Sequence, residues 1–197
     1  MLTASDDRTA RVWDLATGKP TDIVLTGHTG RVLQARYSHD GQRILTVSGD
    51  KTARLWDATT GAELKEFRGH QWAVLSGAFS PDGQQIVTGS EDHTAKVWDV
   101  ASGKELVTLP GHTASIASVA FSTDGRRILT GSQDNSVKLW DAATGKELLT
   151  LAGHNQEVTS VTFSPNGRDA LTAGRDGVAI EWFTTDWNAA PIARSPD

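Results

Sequence analysis

The sequence contains no cysteine, so the chain has no disulfide bond, no thiol nucleophile and no cysteine-based zinc site. It contains no apolar run of membrane-spanning length and none directly after Met1, so it predicts neither a membrane anchor nor a signal peptide. Acidic residues outnumber basic ones, 24 against 19, for a formal charge of −5, and no basic stripe marks a nucleic-acid surface. From these absences we expect a cytoplasmic chain that binds neither nucleic acid nor membranes.

Proline is also scarce, with 6 residues against 19 glycines, and this balance indicates many tight turns. Apolar residues make up 38% of the chain, a fraction above the disordered range. A length of 197 residues is enough for one sizeable core or for several stacked units that share one.

A histidine, a threonine, an aspartate and a tryptophan recur together with a period of 42 residues. A fixed period in this range indicates a repeat architecture. In the leading stretch Thr3, Asp7 and Trp13 match three members without a histidine, so we expect the chain to begin within a repeat. The complete tetrads are His28, Thr46, Asp50 and Trp56; His70, Thr88, Asp92 and Trp98; His112, Thr130, Asp134 and Trp140; and His154, Thr172, Asp176 and Trp182.

Each repeat predicts four short antiparallel strands, which in the first complete copy fall near 32–37, 44–46, 52–56 and 63–67. Asp40 and Gly41 close the first hairpin, because Asp-Gly tolerates the positive φ that such turns need. In the first strand the apolar spacing of Val32, Ala35 and Tyr37 breaks strict alternation once, which predicts a β-bulge near its start.

Two dipeptides bracket the predicted strands at regular intervals: Gly-His at 27–28, 69–70, 111–112 and 153–154, and Trp-Asp at 13–14, 56–57, 98–99 and 140–141. With this pattern the chain resembles the WD40-repeat family over about residues 1–183. The resemblance implies an all-β propeller of four-stranded antiparallel blades. It also implies that the tetrads tie the strands of each blade together.

The repeats predict a WD40 region over 1–188 and a C-terminal tail over 189–197, with repeats at about 1–26, 27–68, 69–110, 111–152 and 153–188. The family's offset between repeat and blade implies an N-terminal incomplete blade, three complete blades and a fourth that lacks its outer strand. Trp182 is followed by Phe183 rather than aspartate, and no closing strand is recognisable after it. We expect an open arc that is the C-terminal part of a larger propeller and self-associates through its edges; a small five-unit ring is the alternative.

The Thr-His-Asp part of each tetrad superficially resembles a nucleophile, a base and an orienting acid. An enzyme needs one activated site, whereas four equal copies favour a structural network in which buried polar groups satisfy one another. His39 and His93, the histidines outside the tetrads, have no histidine partner at ligand spacing. The sequence therefore predicts no enzyme, no metal site and no cofactor.

A binding surface remains as the source of function. The loop after each histidine and the turn around each aspartate share one end of a blade, because alternate connections of an antiparallel meander lie at alternate ends. Trp72 there would resemble a binding hot spot if it is exposed near Arg31 or Arg175, and the alternative is packing against a neighbouring loop. The candidate partner-binding residues are those that vary between repeats at this end: Arg31, Gly49, Gln71, Trp72, Glu91, Ser115, Gln133, Asn155, Glu157 and Arg175, with Asp6 in the leading stretch.

Two residues depart from the repeat pattern. Arg36 stands where other copies have alanine or threonine on the innermost strand, and we expect it to face a polar outlet. Glu181 replaces an aliphatic residue, which predicts a solvated face on the last blade.

The leading functional prediction is a non-catalytic scaffold for protein or peptide partners. The repeat style, as in residues 140–148, is similar to bacterial WD40 arrays, and this resemblance implies a regulatory or targeting module of a larger protein such as a signalling kinase. The alternative is a small-ligand site or an enzymatic propeller that uses the central channel, for which Arg36 is the only hint.

Overall fold

The structure, a computed structural model, describes residues 1–183 and 192–194, and all regular structure in this part is β-strand. No helix among the described residues could span a membrane. Nineteen strands form five separate antiparallel sheets, which follow one another in chain order. The expected region boundary at 188 lies outside the described residues.

The first sheet has three strands and each of the others has four. The strands of the first two sheets are β1 (Leu2–Ala4), β2 (Thr9–Trp13) and β3 (Pro20–Thr26), then β4 (Val32–Tyr37), β5 (Arg43–Ser48), β6 (Thr52–Asp57) and β7 (Glu63–Arg68). The strands of the third and fourth sheets are β8 (Val74–Phe79), β9 (Gln85–Ser90), β10 (Ala95–Asp99) and β11 (Glu105–Leu109), then β12 (Ile116–Phe121), β13 (Arg127–Ser132), β14 (Ser136–Asp141) and β15 (Glu147–Ala152). The fifth sheet contains β16 (Val158–Phe163), β17 (Asp169–Gly174), β18 (Ala179–Phe183) and β19 (Ile192–Arg194).

The prediction that the last blade lacks an outer strand is wrong. β19 pairs antiparallel with β18, with Ile192 opposite Phe183 and Arg194 opposite Glu181. This strand lies within the expected tail. Three residues are too short to show a period-2 pattern, so nothing in the sequence separates β19 from a loop.

The local features follow the sequence closely. The first strand of each four-stranded sheet has a register shift near its start, for example between Val32 and Gln34, so the β-bulge is present where the spacing predicted it. Gly41 adopts a φ of 70°, a conformation that glycine enters without a steric penalty, and the corresponding glycines of the later sheets do the same.

The core lies between the sheets rather than within them. We call the face of a sheet on the side of the next sheet in the chain its forward face, and the face on the side of the preceding sheet its rear face. In the first sheet the rear face, and in the last sheet the forward face, has no neighbouring sheet among the described residues. Leu45, Val47 and Leu55 on the forward face of the second sheet pack against Val74 and Ile86 on the rear face of the third. The same arrangement recurs at the other three junctions, so four similar apolar layers hold the arc together.

The innermost strands also bind one another through side chains. The backbone amide of Gly77 donates to Oε1 of Gln34 at 2.8 Å, and the amide of Val161 donates to Oγ of Ser118 at 3.1 Å. A β-carbon at Gly77 would lie 2.9 Å from Cγ1 of Val47, so the absence of a side chain lets the two sheets approach this closely.

The predicted all-β open arc is confirmed, because the five sheets do not close into a ring among the described residues. No described residue covers the forward face of the last sheet: Leu171 is 46% exposed, whereas its counterpart Leu129 is fully buried. Glu181 is exposed on the same face, in agreement with the solvated surface that the sequence predicted. At the other end, Met1 and Leu15 are exposed beside the first sheet.

Candidate functional site

The third sheet shows how the atoms of a tetrad are connected. The indole Nε1–H of Trp98 donates to Oγ1 of Thr88 at 2.8 Å, and that oxygen lies 2.8 Å from Nε2 of His70. The other ring nitrogen, Nδ1, lies 2.8 Å from Oδ2 of Asp92, and since an ionised carboxylate only accepts, Nδ1 carries the hydrogen and donates to it. Nε2 of the neutral ring is then the acceptor, so the Thr88 hydroxyl donates its one proton to Nε2.

The other three tetrads have the same connections, with Thr–His distances of 2.7–2.8 Å and His–Asp distances of 2.8–2.9 Å. Burial lowers the pKa of His28, His70 and His112 despite the opposing effect of their aspartates, so these rings are neutral near pH 7. The aspartates remain ionised. Burial alone would raise the pKa of Asp50, but hydrogen bonds from Thr52, His28 and the Thr29 amide lower it to about 2.

The tetrads are unsuited to catalysis. The four threonine side chains are at most 1% exposed, so no substrate carbonyl or phosphoryl group reaches their hydroxyls. Each hydroxyl also has both hydrogen-bonding roles filled inside the sheet. Within residues 1–183 and 192–194, no group of three His, Cys, Asp or Glu side chains is placed to hold a metal ion. The geometry is that of a brace between strands.

The first sheet has an incomplete version of this network. Nε1 of Trp13 donates to Oγ1 of Thr3 at 2.8 Å, as in the complete tetrads. Asp7 has no histidine to accept from. It keeps the bonds from the hydroxyl and the amide of Thr9, at 2.6 Å and 2.9 Å, which have counterparts in complete tetrads, and it also binds Arg11 at 3.3 Å. The indole–hydroxyl pair therefore forms without the histidine.

The aspartates also attach the loops to the sheet. Oδ2 of Asp92 accepts from the amide of Gln71 at 2.8 Å, and the Glu91 amide donates to the Ala73 carbonyl at 2.9 Å. Equivalent bonds join the two connections in the other four-stranded sheets. The loop after each histidine and the turn around each aspartate thus lie at one end of the sheet, as the meander topology required. We call this end of the arc the loop face.

Most of the candidate partner-binding residues are exposed on this face. Trp72 is 54% exposed, and one edge of its indole packs against His93 at 5.8 Å between ring centroids. Both alternatives for Trp72 are thus realised in part. Arg175 binds Glu157 at 3.0 Å and lies two sheets away from Trp72, with the fourth sheet between them. The exposed set comprises Asp6, Arg31, Gly49, Gln71, Trp72, Gln133, Asn155 and Arg175, and the half-buried set comprises Glu91, Ser115 and Glu157.

The innermost strands offer few ionisable residues for a small-ligand site or an enzymatic propeller that uses the central channel. Arg36 is exposed on β4, as expected of a residue with a polar outlet. It is the only charged residue on the four strands β4, β8, β12 and β16, which lie innermost. The exposed Tyr37 is its neighbour on β4, but no carboxylate or histidine lies on these four strands to complete an acid–base pair.

Sequence reasoning missed one buried charge. Arg54 on β6 is 9% exposed and donates to Glu63 and to Glu66, at 2.8 Å in each case. Its Nε has no partner among the described residues. Lysines hold the equivalent positions of the next two sheets, and Lys96 binds Glu105 at 2.9 Å in the same manner. A cation at this position in three successive repeats was the signal in the sequence that could have indicated the ion pair.

The opposite end of the arc carries two shallow polar clefts. The larger one, of about 340 Å³, lies between the second and third sheets and includes Arg43, Asp82 and Asp99. Arg43 also lies over the ring of Phe79 at 5.8 Å, so it bridges the two sheets. The smaller cleft, of about 220 Å³, lies between the hairpin turns near Asp82 and Asp124.

Comparison with known proteins agrees with the repeat pattern. The family model described as "WD domain, G-beta repeat" matches four consecutive segments, residues 18–57, 61–99, 103–141 and 145–182. Each matched segment ends at or next to a tetrad tryptophan, whereas the repeats counted from the sequence begin at the Gly-His pairs, so the two divisions share the period and differ in their boundaries. No curated protein matched the chain.

Proposed function

Since the chain belongs to the WD40-repeat family, we propose that it is a non-catalytic scaffold that binds protein or peptide partners on its loop face. WD40 repeats generally mediate protein–protein interaction, and WD40 proteins are typically non-enzymatic scaffolds. The observation that carries the assignment to this face is Trp72, a large aromatic side chain left 54% exposed where the repeats differ from one another.

Two features support a binding role for Trp72. Tryptophan is among the residue types that dominate binding energy at interfaces, because its large flat surface loses little conformational entropy. The T-shaped contact with His93, at an interplanar angle of 88°, holds the indole in place while 54% of the side chain stays exposed. Such a ring is ready to accept an apolar or planar group without rearrangement.

The test is a selection of peptides from a random display library against the immobilised chain, followed by binding measurements with single variants. We expect the selected peptides to lose affinity for Trp72→Ala, while the melting temperature stays nearly unchanged because the indole is half exposed. Arg126→Gln, an exposed site at the opposite end of the arc, is the matched control and should bind normally. Peptides that depend on Arg126 and are indifferent to Trp72 would contradict the proposal. A large loss of melting temperature in Trp72→Ala would place the indole in the core.

We propose further that the uncovered sheet faces support self-association. Leu171 at one end and Leu15 at the other, which is 75% exposed, have no covering sheet among the described residues. Light scattering coupled to size exclusion measures this directly. A monomer at high concentration, with unchanged elution of Leu171→Ser, would refute it.

The regulatory setting is also a proposal. The similarity of the repeat style to bacterial WD40 arrays supports a cytoplasmic module that regulates or targets a larger signalling protein, for example a kinase. Sequencing the coding region on both sides of this segment tests it, and an open reading frame without any signalling domain would count against it.

A further inference from the structure

The unusual backbone conformations of this chain are concentrated on the loop face. Four non-glycine residues have positive φ among the described residues, Arg8 (72°), Lys51 (74°), His93 (68°) and Asn135 (71°), and each directly follows the turn aspartate of its sheet. The equivalent residue of the fifth sheet is Gly177, at 78°. One position per sheet thus has the same left-handed backbone and a different side chain.

At the opposite end of the arc, glycine occupies the positive-φ positions of the turns. The turns there place glycine at positive φ every time, for example at Gly41, Gly61 and Gly83. A left-handed conformation is costly for a residue with a β-carbon and nearly free for glycine. The chain therefore accepts strain on the loop face, and strained residues of this kind are found where a side chain serves binding.

Hydrogen bonds bring three cations of this face together. The Ser5 carbonyl accepts from the Arg8 amide at 3.3 Å and from the Val32 amide at 3.1 Å, which places the first turn beside Arg31. The Gly49 amide donates to the Arg31 carbonyl at 2.9 Å, which places the next turn and Lys51 on the other side of it. We call Arg8, Arg31 and Lys51 the cationic band.

The cationic band leads toward Trp72. In the fourth and fifth sheets the Asn135 side chain donates to the Asn155 carbonyl at 3.5 Å. By the 42-residue period, the counterparts of these two residues two sheets earlier are Lys51 and Gln71, and Gln71 directly precedes Trp72. The repeat thus places the end of the band next to the exposed indole.

The charges of the band are available to a partner. All three side chains are exposed, and none forms an ion pair with another described residue. Other loop-face cations are already occupied, Arg11 by Asp7 and Arg175 by Glu157. The unpaired acids Asp6 and Glu91 lie in the turns at the two ends, so they delimit the positive stretch. The band stands out against a chain whose formal charge is −5.

We propose that the cationic band and Trp72 together bind an acidic peptide segment that carries an apolar side chain. The carboxylates of the segment pair with Arg8, Arg31 and Lys51, and its apolar side chain packs on the exposed part of the Trp72 indole. Exposed charge pairs are individually weak, so the affinity comes from several pairs and one aromatic contact acting together. This inference rests on the proposed function and names the chemical class of its partner.

The test uses fluorescence anisotropy with a labelled peptide in which glutamates alternate with leucine and phenylalanine, and a second peptide with lysine at every glutamate. We expect the acidic peptide to bind, to weaken with added salt, and to be preferred strongly over the basic one. The double variant Arg8→Gly/Lys51→Gly should lose about fourfold to twenty-fivefold in affinity, since each exposed pair contributes about twofold to fivefold. Its melting temperature should rise, because glycine relieves the strain at both positions.

Two controls separate the charge from the backbone. Asn135→Gly makes the same backbone change without removing a charge, and Arg126→Gln removes a charge from the opposite end; both should bind the acidic peptide like the unmodified chain. Equal binding of the two peptides, or unchanged affinity in the double variant, would overturn the inference. If library-selected peptides depend on Trp72 but are not acidic, the proposed function stands and this inference fails.

Discussion

Replacing Thr88 by valine removes the central oxygen of one tetrad and keeps the shape of the side chain. Thr88 is fully buried, and its hydroxyl accepts from the Trp98 indole and donates to His70, at 2.8 Å in each case. After the substitution, both the indole N–H and Nε2 of His70 are buried without a partner. Valine suits a β-strand, so the strand itself should tolerate the change.

The magnitude follows from the two groups left unpaired. Each buried polar group without a partner costs about 1–3 kcal/mol, so the pair costs about 3–4 kcal/mol after partial relaxation. For a chain of this size each kcal/mol lowers the melting temperature by about 2–4 °C, which gives a loss of about 6–16 °C. Thermal unfolding followed by near-ultraviolet circular dichroism reports the loss, because the buried tryptophans dominate that signal.

The incomplete first sheet supplies the matched control. In Thr3→Val only the indole of the half-buried Trp13 loses a partner, no histidine is involved, and water can replace the bond. We expect this variant to lose about 0.5–1 kcal/mol. Equal destabilisation by Thr88→Val and Thr3→Val would refute the reasoning, because the histidine side of the network would then contribute nothing.

Three further outcomes follow from packing and ionisation. Because burial lowers the pKa of His28, His70 and His112, the unfolded chain binds more protons than the folded chain on acidification. The urea midpoint should therefore be highest at pH values above the ordinary histidine pKa of 6.5 and fall at lower pH, with a further loss as Asp50 protonates between 3.8 and about 2. A midpoint that rises with acid would contradict this. Gly131→Ala places a β-carbon 2.7 Å from Val161 and should cost about 1–3 kcal/mol in urea unfolding, and an unchanged midpoint would show that the fourth and fifth sheets separate easily. At a concentration low enough to keep the chain monomeric, Leu129→Ser should destabilise the fold by about 2–5 kcal/mol and Leu171→Ser, its 46% exposed counterpart, by about 0.5 kcal/mol, so similar losses in calorimetry would mean that Leu171 is buried within the monomer.

Much of the fold could be predicted because one period repeats four times. Asp50, Trp56 and their counterparts mark where the strands begin and end. Because the same markers recur in every repeat, a wrong strand boundary would have to be wrong in all copies at once. β19 could not be predicted, since it occurs once and spans three residues. Its place in the sheet comes from pairing with β18, and such pairing leaves no mark on so short a segment.

The loop face could be predicted only in part. The topology placed Arg31 and Trp72 there, because alternate connections share an end. Arg8 and Lys51 were missed, although each follows a turn aspartate at a position that varies between repeats. Their role depends on a positive φ and on two turns that meet at Arg31, and neither property is local to the sequence around them.

The forward and rear faces of the sheets determine which changes in chain length the fold can accept. Every junction joins a forward face to a rear face, so removal of one complete 42-residue segment would bring together two surfaces that already fit. Removal of half a segment would join two surfaces of the wrong kind and leave a tetrad divided. We therefore expect deletions and duplications to be tolerated in steps of 42 residues, and the loop face would gain or lose one left-handed position with each step.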